Sequence, residues 1–328
     1  MEYKWNINKL KELLKEENII FASCQDEKQK LLRGIDIYQL QLAISYNEEI
    51  PFIDNDYSIK NIEIIEEKRD NNLQELNEKT DIIKSLFFRE KISIPDVYFS
   101  GETKLTIPKS IELVKTLPFM EARVLEKLIK EKQLFIAPKK LSIPDKGACL
   151  FIPGISYQLV YAKHEGVPSD IVYLSHELGH AKQNILVPNT LDTFNNQQSS
   201  ILREISSEIS ELISLFYLKG KINEQDRLAI TYDFICFHEE EIKRIISGIN
   251  DNVEYIYSEL ISIYLFILYR YNYSEYEKLI KKFYELAGSS SDKEIYQSLN
   301  IDSNKIKDSF ERFKQDYIEE VDKIKKLI

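Results

Sequence analysis

Disulfide partners, glycine, proline, basic surface and long apolar runs are all scarce in this 328-residue chain, and each shortage excludes something. The three cysteines, Cys24, Cys149 and Cys236, are odd in number and widely spaced, so neither a disulfide framework nor a CxxC metal pair follows. With only 9 Gly and 9 Pro, long helices can run uninterrupted. Asp and Glu outnumber Lys and Arg by 54 to 44, for a net charge of −10. A nucleic-acid or acidic-membrane binder needs a concentrated basic surface, so neither partner is expected. The basic runs Lys139-Lys140 and Lys325-Lys326 read as solvated helix faces. No stretch approaches the ~18 consecutive apolar residues of a membrane span. The apolar segment Ile261 to Tyr269 is too short and reads as a buried helix. The opening residues mix charges throughout and carry no apolar signal region, so a reduced, cytoplasmic protein is expected.

What is present is an ordinary globular balance, 43% hydrophobic and 30% charged, enough for one large domain or two modest ones. Residues 1–130 read as helical and strongly charged, with one long, largely exposed helix from Ile59 to Leu86. The character changes between Lys132 and Lys163. Gln133 to Pro138, Gly147 to Pro153 and Ser156 to Lys163 are short apolar runs punctuated by Pro and Gly, as in a small sheet. After Gly166 helical periodicity returns, with Pro168-Ser169-Asp170 as a capping signal. The expected fold is mainly α, with one small β-sheet ahead of an informative helix. A helical N-terminal region, 1–130, is expected to precede a functional region, 131–328.

The informative helix carries Ser175-His176-Glu177-Leu178-Gly179-His180. Positions i and i+4 differ by about 40° around a helix axis, so both imidazoles leave one face and can share a zinc ion. Glu177 can then reach water beside the ion without binding the ion itself, the HExxH arrangement. Only four histidines occur in the chain, and two fall at this spacing. A catalytic zinc needs a third protein ligand. Glu204, in Ile201-Leu202-Arg203-Glu204-Ile205-Ser206-Ser207-Glu208, can supply it, and Glu208 on the same face can accept the other ring N–H of a ligating His. No GxxxxGK[ST] or GxGxxG pattern supports nucleotide binding. Cys149 lies in an apolar run and reads as a buried, inert thiol.

His176-Glu177-Leu178-Gly179-His180, followed by Glu204 in a second helix, resembles the signature of the zinc peptidases that include thimet oligopeptidase and oligoendopeptidase F. Lys146-Gly147-Ala148-Cys149 and the strand Tyr157 to Lys163 resemble that family's Gly-Ala segment and substrate-flanking edge strand. Ala287 to Ser290 and Leu299 to Asp302 resemble its closing helices. The likeness covers roughly residues 140–325, and the N-terminal half is shorter than the family's. Gln183 stands where the family often has a further His that is not a ligand.

The resemblance implies a helical cleft, Zn2+ as cofactor, and internal cleavage of short unstructured peptides by a monomer or weak oligomer. It also implies a Tyr and a His that steady the oxyanion. Tyr255 aligns with the former, with Tyr257 as neighbour, and His238 is the remaining downstream candidate. His164 reads as a loop residue. The Tyr157–Lys163 strand would pair with extended substrate. A metallocarboxypeptidase, a degenerate peptide-binding fold and a metal-free helical scaffold stand as alternatives.

Overall fold

The three apolar runs form one three-stranded sheet of β1 (Leu134–Pro138), β2 (Gly147–Ile152) and β3 (Tyr157–His164), in the order β1-β3-β2. β3 is central, parallel to β1 (Leu134 opposite Val160) and antiparallel to β2 (Ile152 opposite Tyr157). The computed structural model describes residues 3–48, 73–87, 103–118, 120–138, 146–187, 200–249, 253–287, 290 and 292–325. The expected helix from Ile59 is described only as α3 (Leu73–Phe87). Its residues 59–72, like Lys139, Lys140, Lys326, Gly288 and Ser289, lie outside the described residues.

Successive strand residues point to opposite faces, and each face is covered by helices. Leu134, Ile136, Val160 and Ala162 pack against α4 (Ile107–Lys115), α5 (Met120–Lys130) and α6 (Ser169–Leu186). Phe135, Ala137, Leu159 and Tyr161 pack against Trp5 and the hairpin of α1 (Ile7–Ser23) and α2 (Glu27–Glu48). The Trp5 indole N–H is shared by the Gln133 and Val160 carbonyls, at 3.0 and 3.1 Å.

The remaining helices build the third core: α7 (Ser200–Tyr217), α8 (Glu224–Ile246), α9 (Val253–Tyr271), α10 (Tyr273–Leu286), α11 (Asp292–Ser298) and α12 (Ser303–Lys325). Ile83 and Phe87 of α3 belong to it, so helices from both sides of residue 130 share cores. The segment expected as a buried helix lies in α9, where Ile261, Ile263 and Leu265 have no exposure; each such side chain contributes roughly 1.5–3 kcal/mol. Among the described residues, no helix is long and apolar enough to cross a membrane.

The Pro168-Ser169-Asp170 signal marks the start of α6 but works differently from a side-chain cap on the helix. Pro168 occupies the cap position without a side-chain hydrogen bond. Asp170 instead accepts the N–H groups of Glu165, Gly166 and Val167 at 2.7–3.1 Å, fastening the incoming loop. His164 ends β3 rather than lying in a loop; it is 9% exposed, and its ring is 3.0 Å from the Ser110 hydroxyl.

A buried polar knot fixes the α1–α2 hairpin to the β2–β3 turn. Arg33 donates to Glu17 at 3.0 Å and lies 3.5 Å from Asp36, while Asp36 accepts the Gly154 N–H at 3.0 Å. A side chain at 154 would collide with the Asp36 carboxylate. Burial, aided by the Glu17 charge, pushes the Asp36 carboxyl up to about 7. Folding therefore favours protonated Asp36. That contribution is complete below about pH 4, the unfolded value, and is lost as pH rises through about 7. Asp36→Asn keeps an acceptor for Gly154 but cannot ionise. Thermal melts from pH 5 to pH 8.5 should fall less steeply in that variant, and parallel slopes would rule out Asp36 as the titrating group.

Candidate metal centre

α6 has Asp170 in its first turn and carries Tyr173, His176, Glu177 and His180 on one face by their three- and four-residue spacing. It packs most extensively against α7, and the residue that permits this is Gly179. A Cβ there would strike the Ser207 backbone and lie 2.6 Å from the Ser206 carbonyl oxygen. Small residues line the α7 side. The Ser206 hydroxyl donates to the Gly179 carbonyl at 3.0 Å, and Lys182 donates to Ser210 at 3.0 Å.

The close approach brings Glu204 under both imidazoles. Glu204 Oε2 is 3.5 Å from His176 Nε2 and 3.5 Å from His180 Nε2, with the ring centroids 4.9 Å apart. The three donor atoms all lie within 4.8 Å of one another. Two ligands about 2.0–2.1 Å from one tetrahedral ion stand ~3.3–3.4 Å apart, so the spacing fits a shared zinc ion. The side chains are 16%, 21% and 24% exposed, enclosed by protein but open on one side, as a site with a free coordination position requires.

Charge state fits as well. Burial, against the pull of Glu204, lowers the His180 pKa to about 4, so its ring is neutral at pH 7 and offers a lone pair. Burial works against ionising Glu204, yet the hydrogen bond from His176 and the charges of both imidazoles hold it at about 2. Burial opposes protonation of His176, but hydrogen bonds to Glu204 and Glu211 raise it well above the usual range. A metal bound at this position would have to displace the proton that these partners favour on His176.

The acid that holds the second nitrogen of the His176 ring is Glu211, and Glu208 does something else. Glu211 Oε2 lies 3.2 Å from His176 Nδ1, while the ring of His180 bonds to the Arg203 backbone. Glu208 is 1% exposed and turned toward α9, where Ser258 and Ser262 donate to its two oxygens at 2.7 and 2.9 Å. A step of four residues rotates about 40° from Glu204, whereas seven residues return within about 20° of it. The signal for Glu211 was therefore the i+7 spacing. Burial, followed by the Glu259 charge, raises Glu208 strongly, which keeps it protonated as a donor-acceptor in the helix packing.

Glu177 is 8% exposed beneath the start of β2: a Cβ on Gly147 would lie 2.6 Å from its Oε1. A side chain at 147 would thus displace the carboxylate next to the two histidines. Cys149 on the same strand is half-buried, and burial followed by the Glu177 charge pushes its thiol well above the usual range, which disfavours the thiolate.

Tyr255 lies in α9 among the site's acids. Burial first, then Glu259, Glu208, Glu211 and Glu204, raises its pKa, so its hydroxyl remains a donor at neutral pH. Its hydroxyl hydrogen-bonds Glu259, one turn on, which sequence reasoning missed despite the four-residue spacing. Tyr257 is 6% exposed and belongs to the α7–α12 core. His238 corrects the expectation of a substrate-facing imidazole. It has no exposure, its Nδ1–H donates to the Phe234 carbonyl at 2.5 Å, and its Nε2 contacts Glu259. Burial lowers it to about 4 and raises Glu259, so the Glu259 proton lies toward a neutral His238 ring. His238 thereby supports Glu259, which in turn positions Tyr255.

The edge-strand expectation also changes. β3 uses both of its edges on β1 and β2, leaving no backbone ladder for a further strand. Among the described residues, β2 pairs along one edge only, and its first residue, Gly147, lies against Glu177.

No family model matches the sequence, and no curated protein matches it. Solved structures do match. A candidate peptidase of Chlamydophila abortus superposes with a TM-score of 0.52 at 13% identity, over 94% of this chain and 62% of that one. PZ peptidase A in complex with an inhibitor gives 0.50 at 13% identity, over 95% of this chain and 71% of that one. The chain thus has the helical fold of these structures and spans about 62% of the length of the first.

Proposed function

We propose that this chain is a zinc metallopeptidase that hydrolyses internal bonds of short, unstructured peptides. The observation that carries this reading is Glu204 Oε2 at 3.5 Å from both His176 Nε2 and His180 Nε2, with all three donor atoms within 4.8 Å of one another and Glu177 on the same helix face as the histidines. The fold shared with solved peptidases adds support. Bound between these three residues, zinc would polarise the scissile carbonyl and lower the pKa of water at the open position. Glu177 takes the water proton and later passes it to the departing amine. Glu211 holds the His176 ring by its Nδ1, so the Nε2 lone pair faces Glu204. Tyr255 exchanges its hydrogen bond from Glu259 to the carbonyl oxygen as negative charge develops there, a contribution of ~3 kcal/mol where such donors are removed. An extended peptide adds to the unpaired edge of β2, which brings its backbone past Glu177.

The test is incubation of purified protein with a mixture of unstructured peptides, read by mass spectrometry. Internal cuts that stop on chelation and resume with added zinc are expected. Single-residue C-terminal ladders would indicate a carboxypeptidase instead. An uncut mixture would favour a peptide-binding protein.

A further inference from the structure

The acid-rich centre poses a problem for any peptide whose C-terminus lies near the cut bond. Glu177, Glu204 and Glu211 gather around it, so a terminal carboxylate entering there meets like charge. Arg203 adjoins Glu204 on the α7 side, and a second cation stands at the β2 margin. Lys146 directly precedes Gly147, the residue against Glu177, and its ammonium lies 4.5 Å from the Tyr173 ring centre. It also donates to the Tyr173 hydroxyl at 2.8 Å. Tyr173 is one turn ahead of His176 and Glu177 on the same face of α6. The ammonium is exposed, and among the described residues no carboxylate pairs with it. An aromatic face holds the charge in place while leaving its other N–H bonds available.

We propose that Lys146, held on Tyr173, is a carboxylate-binding subsite that selects peptides by the acid lying just after the scissile bond. This rests on the peptidase reading given above. Direction follows from pairing. A peptide antiparallel to β2 runs from the Ile152 end toward Gly147, so its C-terminal portion passes Glu177 and then reaches Lys146. At ~3.3 Å per extended residue, an ammonium one residue beyond Gly147 meets a carboxylate within about three residues of the cut. The substrate class is therefore short peptides released a few residues from a free C-terminus. An Asp or Glu side chain at the same distance offers the same chemistry.

The experiment uses peptides of one sequence with a free-acid or an amidated C-terminus, two or three residues beyond the cleaved bond. A third member is amidated but carries Glu at that distance. Wild-type kcat/KM is expected to favour the free acid over the amide by about tenfold. The ratio should fall to near one in Lys146→Met and invert in Lys146→Glu. Recovery of cleavage by the Glu-containing amide would assign the subsite to carboxylates in general, and its failure would restrict it to the chain terminus. Equal wild-type rates on acid and amide, or a ratio that survives Lys146→Met, would overturn the proposal.

Binding of the same peptides to zinc-loaded Glu177→Gln protein separates the two ideas. An acid preference there that Lys146→Met removes would uphold the subsite even if wild-type protein cut nothing. Turnover without any acid preference would remove the subsite and leave the peptidase.

Discussion

Glu177→Gln protein is expected to hydrolyse peptides about a thousandfold more slowly than wild type, or worse, while keeping its zinc and its melting temperature. The substitution is nearly isosteric, which matters because the side chain lies against β2 at Gly147 and has no spare room. The amide cannot accept the water proton, so the loss belongs to the chemical step and should appear in kcat rather than KM. Glu177 is not among the three groups that converge, so metal content should be unaffected. A variant within tenfold of wild type would mean that another group takes the proton. A variant that loses zinc would place Glu177 in the ligand set.

The second large effect is structural. Gly179→Ala should destabilise the fold by about 3 kcal/mol, near the upper end for overpacking a close contact. For a chain of this size that lowers the melting temperature by roughly 4 °C. Alanine favours an isolated helix by ~0.5–1 kcal/mol over glycine, so helix propensity alone predicts the opposite sign. Packing decides, because the added methyl meets the Ser207 backbone and the Ser206 carbonyl, which cannot rotate aside as a side chain can. Moving α7 away also moves Glu204 from the two imidazoles, so zinc affinity should fall together with stability. Calorimetric melts with and without zinc check both parts. A variant as stable as wild type would show that the helices separate at little cost and that the close crossing does not set the ligand spacing.

The convergence of His176 and His180 was legible because HExxH is a helical pattern, and helical geometry places the two rings together whatever surrounds them. Glu204 was legible as the first acid on the following helix, whose Ile and Leu residues mark it as packed. Distinguishing Glu208 from Glu211 was harder. Both lie near the right face, and the choice depends on α9, whose Ser258 and Ser262 claim Glu208. The small sheet was legible from its punctuation, whereas its strand order was not. β1, which precedes β2 in the chain, pairs with β3 and closes the edge that composition alone would leave open. His238 was misassigned for a related reason. A histidine in a helix offers no sign of exposure, and only the packing of α8 against α9 shows its ring enclosed against Glu259. The Asp36–Gly154 bond joins residues 118 apart, and no local pattern announces it.

Everything proposed for the site depends on one ion held by His176, His180 and Glu204. Metal content after exhaustive dialysis, measured by plasma mass spectrometry on wild type and on His180→Ala/Glu204→Ala protein, tests that directly. The account predicts about one zinc ion per wild-type chain and close to none in the folded double variant. A wild type without metal, or a variant that keeps the same metal, would contradict it.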